Sequence, residues 1–246
     1  MKRIISLFLT SVLLSTTICN VNAENKMLLD YSKEEIATMS DAQYLDLYGN
    51  YYIDALEKKK TDSEIEKELS ALGIEFKAAK TNETRASLST DISLNVTFSR
   101  RAGQAYTYVT GVATPTTTLA SPATEDCMSI EWEPSKGSYY GYAEGQNTTL
   151  KDYSKRNNGT LVFNVQDSKM TSKTKYALAS ALVIFNNNSN TGSIGIKYIH
   201  TYGSSAPSLT IGGNVGYTGG LVSGGVSIGL SINYTNATWQ RAYLYS

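Results

Sequence analysis

Between Leu209 and Tyr234 the chain reads LTIGGNVGYTGGLVSGGVSIGLSINY, and that alternation leaves few folds open. Leu209, Ile211, Val215 and Tyr217 are interleaved with Thr210, Gly212, Asn214, Gly216 and Thr218. After a Gly-rich break, Val226, Ile228, Leu230, Ile232 and Tyr234 alternate with Ser227, Gly229, Ser231, Asn233 and Thr235. A period of two predicts two strands, each with one apolar face and one small polar face. The second run is uncharged and holds its alternation for about the 9–11 residues that a β-strand needs to cross a bilayer. Two architectures use such a pair. One is a hairpin lining a water-filled barrel in a membrane, and the other is an ordinary pair of half-buried strands.

The same period recurs upstream. Ile92, Leu94, Val96 and Phe98 alternate with polar residues, and parts of 105–113 and 128–133 do likewise. Further strands are predicted over 139–142, 161–165, 176–185 and 194–202, separated by turn signals at 135–137, 157–159 and 186–192. A last strand carries Trp239, Tyr243 and Tyr245. Before residue 76 the period is helical. Ser32–Glu35, Ser40–Gln43 and Thr61–Glu64 have capping-box spacing, and Tyr44, Leu45, Tyr48, Tyr51, Tyr52 and Leu56 follow at three-to-four spacing. Gly73 then reads as a left-handed helix stop. The expected fold is mainly β: a β-sandwich or elongated antiparallel β domain over 91–246, preceded by a small helical N-terminal module over 24–76. Between them a polar linker over 77–90 offers Lys77, Lys80 and Arg85 to processing proteases. The helices read either as an integral cap on the β domain or as a removable pro-segment.

The first 23 residues read as a signal peptide: Lys2 and Arg3, an apolar run from Ile4 to Ile18, then Val21-Asn22-Ala23 as the cleavage site. Its loss removes Cys19 and leaves Cys127 as the one cysteine, so a disulfide framework within the mature chain is excluded. A secreted chain of this kind, rich in Asn, Lys, Tyr and Ile, reads as bacterial. The total charge balances at 22 against 22, but 24–85 holds 14 acidic and 9 basic residues, while 86–246 holds 8 and 11. Two modules of opposite sign can attract each other, and the second can approach an anionic surface. The basic residues are scattered without an aromatic–basic motif, which argues against nucleic acid.

Residues for catalysis are sparse. His200 is the sole histidine, and a dyad with Cys127 has no local motif behind it. Neither a metal set nor any cofactor site is expected from one histidine and one mature cysteine. Glu125, Asp126, Glu131 and Glu133 are the one dense carboxylate group of the β region. They read either as a glycosidase pair beside Trp132 or, preferably, as solvated strand-face acids. The expectation is a non-enzyme. Tyr139, Tyr140 and Tyr142 form an aromatic group alongside Trp239, Tyr243 and Tyr245, suited to strand packing or to a membrane interface.

The run Gly213-Asn214-Val215, Gly219-Gly220-Leu221, Val226-Ser227-Ile228-Gly229 and Tyr234 resembles the glycine-rich stem of alpha-hemolysin-type β-barrel pore-forming toxins. The resemblance is confined to 209–234. It implies a soluble β-sandwich monomer that assembles on a target-cell membrane as a homo-oligomer, each subunit giving one hairpin to the barrel. Leu209, Ile211, Val215, Tyr217, Val226, Ile228, Leu230, Ile232 and Tyr234 would then form the inserting apolar face. Asn214, Ser227, Gly229, Ser231 and Asn233 would line the pore, with Trp239, Tyr243 and Tyr245 at the interface. The expected function is therefore a secreted membrane-active toxin or large bacteriocin. The alternative is a secreted, non-enzymatic, adhesin-like binding protein.

Overall fold

The computed structural model describes residues 26–79, 81–83, 92–117, 126–170, 175–188, 190–201, 208–211, 222–223, 226–227, 230–233 and 238–245; beyond His200, and for 81–83, it describes backbone only. The signal peptide, Lys80, Arg85, Glu125, Asn214, Val215, Tyr217, Ile228, Gly229 and Tyr234 lie outside the described residues.

Three helices open the fold: α1 (Lys33–Thr38), α2 (Asp41–Glu57) and α3 (Asp62–Ala71). The hydroxyl of Ser32 accepts from the Glu35 amide at 3.2 Å, while the Glu35 carboxylate accepts from the Ser32 amide at 2.7 Å. Thr61 and Glu64 repeat the exchange. Ser40 caps α2 in one direction only, accepting from the Gln43 amide. Each cap satisfies amides that a helix start leaves orphaned. Gly73, at φ +72°, ends the helical part as expected.

Two antiparallel sheets follow. The first has the strand order β1 (Ile74–Ala78), β3 (Ile92–Arg101), β4 (Thr107–Pro115), β9 (Ala177–Phe185), β6 (Gly137–Glu144). The second runs β2 (Thr81–Glu83), β15 (Thr238–Tyr245), β10 (Ile194–Thr201), β5 (Asp126–Trp132), β8 (Thr160–Val165), β7 (Thr148–Asp152). Alternation sorts the side chains. Leu94, Val96 and Phe98 of β3 meet Met128, Ile130 and Trp132 of β5 and Ile194, Ile196 and Tyr198 of β10 in one buried core between the sheets. The fold is a β-sandwich, as its period-two runs require. The expected linker over 77–90 begins inside β1, where Ile74 pairs with Arg101 and Ala78 with Thr97. Lys77 thus sits in a hydrogen-bonded ladder. Its polar neighbours hide a strand whose one buried face is only Ile74 and Phe76.

The opposite face of the first sheet carries the helices. Tyr44, Leu45, Tyr48 and Tyr52 of α2 pack with Tyr108 and Val112 of β4 and Leu178 and Leu182 of β9 in a second buried core. The sandwich therefore becomes a three-layer body, helices on sheet on sheet.

Between β10 and β15 the chain makes its hairpin excursion. β11 (Ser208–Ile211) pairs with β14 (Leu230–Asn233), setting Leu209 opposite Ile232 and Thr210 opposite Ser231. β12 (Val222–Ser223) pairs with β13 (Val226–Ser227), setting Val222 opposite Ser227. The two ladders are out of register. The pairings of the first sum to a centre between positions 220 and 221, those of the second to a centre between 224 and 225. Among the described residues the two strands read from the sequence thus pair in two different registers, as Gly-rich strands, which specify register weakly, allow.

Candidate functional site

Three places in the fold concentrate chemistry. The first is the seam where the helices dock. Arg101, 1% exposed, projects from the end of β3 and donates to the carbonyls of Ile36 (3.0 Å) and Met39 (2.6 Å), to Asp41 Oδ1 (2.6 Å) and to Tyr108 Oη (2.6 Å). Tyr106 and Tyr108 also donate to Asp41 Oδ1, at 2.7 and 2.6 Å. Below them, Tyr44 donates to Ser99 and Tyr48 to Thr97, so the polar side chains of β3 receive tyrosine hydroxyls from α2. Desolvation pushes the Tyr44 and Tyr48 hydroxyls well above their ordinary range. The seam is structural: it ties the helices to the sheet.

The second place is the open edge of the sandwich. β6 is the edge strand of the first sheet and carries a bulge between Tyr139 and Gly141. Tyr140 (56% exposed), Tyr142 (41%), Tyr153 (50%) and Ile184 (38%) lie on or beside it. Tyr140 stacks on Tyr106 with centroids 4.5 Å apart. Arg156 lies 5.0 Å from the Tyr153 ring centroid and 5.9 Å from that of Tyr139. Tyr139 and Tyr142, whose β9 partners Val183 and Ala181 face the core between the sheets, lie with Arg156 and Tyr153 on one side of β6, while Tyr140 stacks on Tyr106 on the helix side. No local signal in the sequence singles out Arg156 or Tyr153; the β7–β8 connection brings them there.

The third is a buried polar cluster. Asp126 opens β5, His200 is next to last in β10, and Asp167 sits in a 3-10 turn, Asp167–Lys169, after β8. His200 and Asp126 are 0% exposed and Asp167 is 2%. His200 Nδ1 lies 2.8 Å from Asp126 Oδ2 and 3.5 Å from Asp167 Oδ2. Tyr198 donates to the same Asp126 oxygen at 2.5 Å. Burial, with Asp126 beside it, pushes the Tyr198 hydroxyl far up. Cys127 alternates with Asp126 and points to the other side of β5.

That other side corrects the reading of solvated acids. Cys127, Ser129, Glu131, Lys197 and Ile199, on the face turned away from the core, are each at most 3% exposed. Ser129 donates to Glu131 at 2.9 Å, and Glu133 accepts from the Ser193 amide at 2.6 Å. Desolvation lowers the Lys197 ammonium to about 8, opposed by Glu131. β13 comes within 8 Å of β10, Cα to Cα. Both edges of β10 are already paired, with β5 and β15, so β13 can only approach a face or an end of it. Trp239, Tyr243 and Tyr245 lie along β15, where Trp239 pairs with His200, Tyr243 with Ile196 and Tyr245 with Ile194. Of the proposed inserting face, Leu209, Ile211, Val226, Leu230 and Ile232 have described backbone, as do Ser227, Ser231 and Asn233 of the proposed pore lining.

Among the described residues no helix is long and apolar enough to cross a membrane, which leaves crossing by strands open. No family model and no curated protein matches the chain. Among solved structures it is similar to one described as concerning pH-induced modulation of Streptococcus parasanguinis adhesion by Fap1 fimbriae, at 14% identity and a TM-score of 0.40, over 70% of this chain and 94% of that one. A second is one chain of a complex between a CaDoc0917 variant and CaCohA2, at 11% identity and a TM-score of 0.26, over 54% and 94%. The fold assignment rests on the chain's own ladders and core: a helix-capped antiparallel β-sandwich.

Proposed function

We propose that the chain is an exported, non-enzymatic binding protein of adhesin-like type, and that the edge of the sandwich around β6 is its recognition surface. The observation that carries this is the placement of Arg156 against the Tyr139 and Tyr153 rings, on the side of β6 that also carries exposed Tyr142. Tyrosine gives large, stiff contact area at low entropy cost, and arginine is the other residue favoured at binding surfaces. Stacking faces with one guanidinium suit an acidic sugar polymer, whose rings lie on the aromatics while a carboxylate meets the arginine. A glycan array carrying acidic and neutral saccharides tests this directly. Acidic glycans should be retained, and Y142A/Y153A or R156A should weaken retention at least tenfold with an unchanged melting temperature. Retention that ignores all three substitutions, or no retention of any glycan, would discard the surface.

A second reading has its own observation. The β11–β14 ladder sets Leu209 opposite Ile232 and Ile211 opposite Leu230, pairing apolar residues across the two strands. In that reading the hairpin inserts into a target membrane after assembly, since a lone hairpin leaves its edge amides unsatisfied in hydrocarbon and a ring of them does not. Dye release from anionic and zwitterionic liposomes, abolished by L230K, supports insertion. Absence of release from both, together with glycan binding, leaves the recognition reading alone.

A further inference from the structure

We propose that Asp126, Asp167 and His200 form a site for one divalent transition-metal ion, Zn2+ or Mn2+, at the end of the sandwich where β10 departs for the hairpin. The three residues come from three different elements and each offers one ligand atom, all within 4.8 Å of one another. A ring nitrogen holds one proton or one lone pair, yet two carboxylates converge on this one, at 2.8 and 3.5 Å. A proton on Nδ1 can be directed at Asp126 but not equally at Asp167. A cation in place of that proton meets all three atoms at once. Ions bound at about 2.1 Å hold their ligands about 3 Å apart in octahedral and about 3.4 Å apart in tetrahedral arrangement, and the two separations from His200 Nδ1, 2.8 and 3.5 Å, bracket those values.

Burial points the same way. Two carboxyl groups converge on one imidazole in a buried place, and a divalent cation there meets acceptor atoms from all three side chains. One nitrogen and two carboxylate oxygens suit a first-row ion such as Zn2+ or Mn2+ rather than Ca2+, which takes oxygen ligands only and more of them. Tyr198, donating to Asp126 Oδ2, is the positioning residue of the set. The ion would fasten the 3-10 turn after β8 to β5 and β10. One histidine and one mature cysteine offer no zinc set along the sequence; only the fold adds the carboxylates.

The purified full chain, stripped with chelator, is titrated with ZnCl2 and MnCl2 by calorimetry, and bound metal is counted by elemental analysis. The expected result is one ion per chain, a melting temperature raised by several degrees at saturating metal, and at least tenfold weaker binding in D167N. That variant keeps the shape and removes a buried charge, so it folds. The proposal is overturned by a natively folded chain that takes up neither ion stoichiometrically, or by D167N binding as tightly as the unaltered chain. It also fails if D167N raises the melting temperature while the unaltered chain ignores metal, since the cluster is then held by protons.

Discussion

Arg100 and Arg101 are identical neighbours in the sequence with opposite fates. Arg100 makes a solvent-side fork with Glu75, at 2.7–3.0 Å, and contributes little there. Arg101 alternates to the helix side and gives four hydrogen bonds in a buried seam. Arg101→Ala should cost about 3 kcal/mol, read from the urea midpoint, because it removes four hydrogen bonds from a buried seam, one of them an ion pair with Asp41. Alternation puts the two arginines on different faces, but no local signal says which face a distant helix will cover. Glu131 and Lys197 are illegible for the same reason, since their burial comes from elsewhere in the chain. Lys197 has a measurable consequence. Its folded ammonium titrates near 8 and its unfolded one near 10.5, so between those values the unfolded chain binds more protons and stability rises with pH. Above about pH 10 the buried tyrosines, whose hydroxyls are held above their unfolded range, reverse the trend. Urea midpoints should therefore climb between about pH 8 and 10, by about 2 kcal/mol, and fall beyond it. K197M should remove the climb and leave the fall.

At the scale of elements, helices with caps and strands with one apolar face are readable, and short or polar strands are not. Ser32, Ser40 and Thr61 mark all three helix starts. The runs at 92–98, 161–165 and 194–202 correspond to β3, β8 and β10. β7 escapes detection because its burial pattern has no alternation, one buried residue followed by exposed and half-buried ones. Asn157-Asn158-Gly159 reads as a turn, and the reason it must be one is steric. Gly159 sits at φ +74°, and a Cβ there would fall 2.0 Å from the Trp132 carbonyl oxygen. Its own carbonyl accepts from the Trp132 amide, so β8 enters the sheet through this contact. Gly159→Ala should cost at least about 2 kcal/mol from backbone conformation and overlap together. A smaller loss in chemical denaturation would mean that the β7–β8 connection can shift.

For the whole molecule, the layer count is the part that sequence reasoning leaves open. A mainly β chain with a helical prefix is legible, but whether the prefix caps the sandwich or merely precedes it depends on Tyr44, Tyr48, Tyr108 and Leu178 meeting from distant parts of the chain. In the structure they share one core. A truncation beginning at Ala86 removes the helices together with β1 and β2, and exposes Tyr108, Val112, Leu178 and Leu182. It should be largely insoluble, or bind a hydrophobic dye when soluble. A well-folded, dye-silent truncation would show that the helices are separable. The last consequence lies in how the chain leaves β10 and returns as β15. Thr201 and Thr238 face each other as ladder partners, so residues 202–237 depart from and come back to the same rung. Topologically the excursion is a cassette: a two-residue turn can close the gap without rethreading any strand. Splicing such a turn in its place should leave the sandwich melting cooperatively, and the same rung is a ready socket for a foreign hairpin.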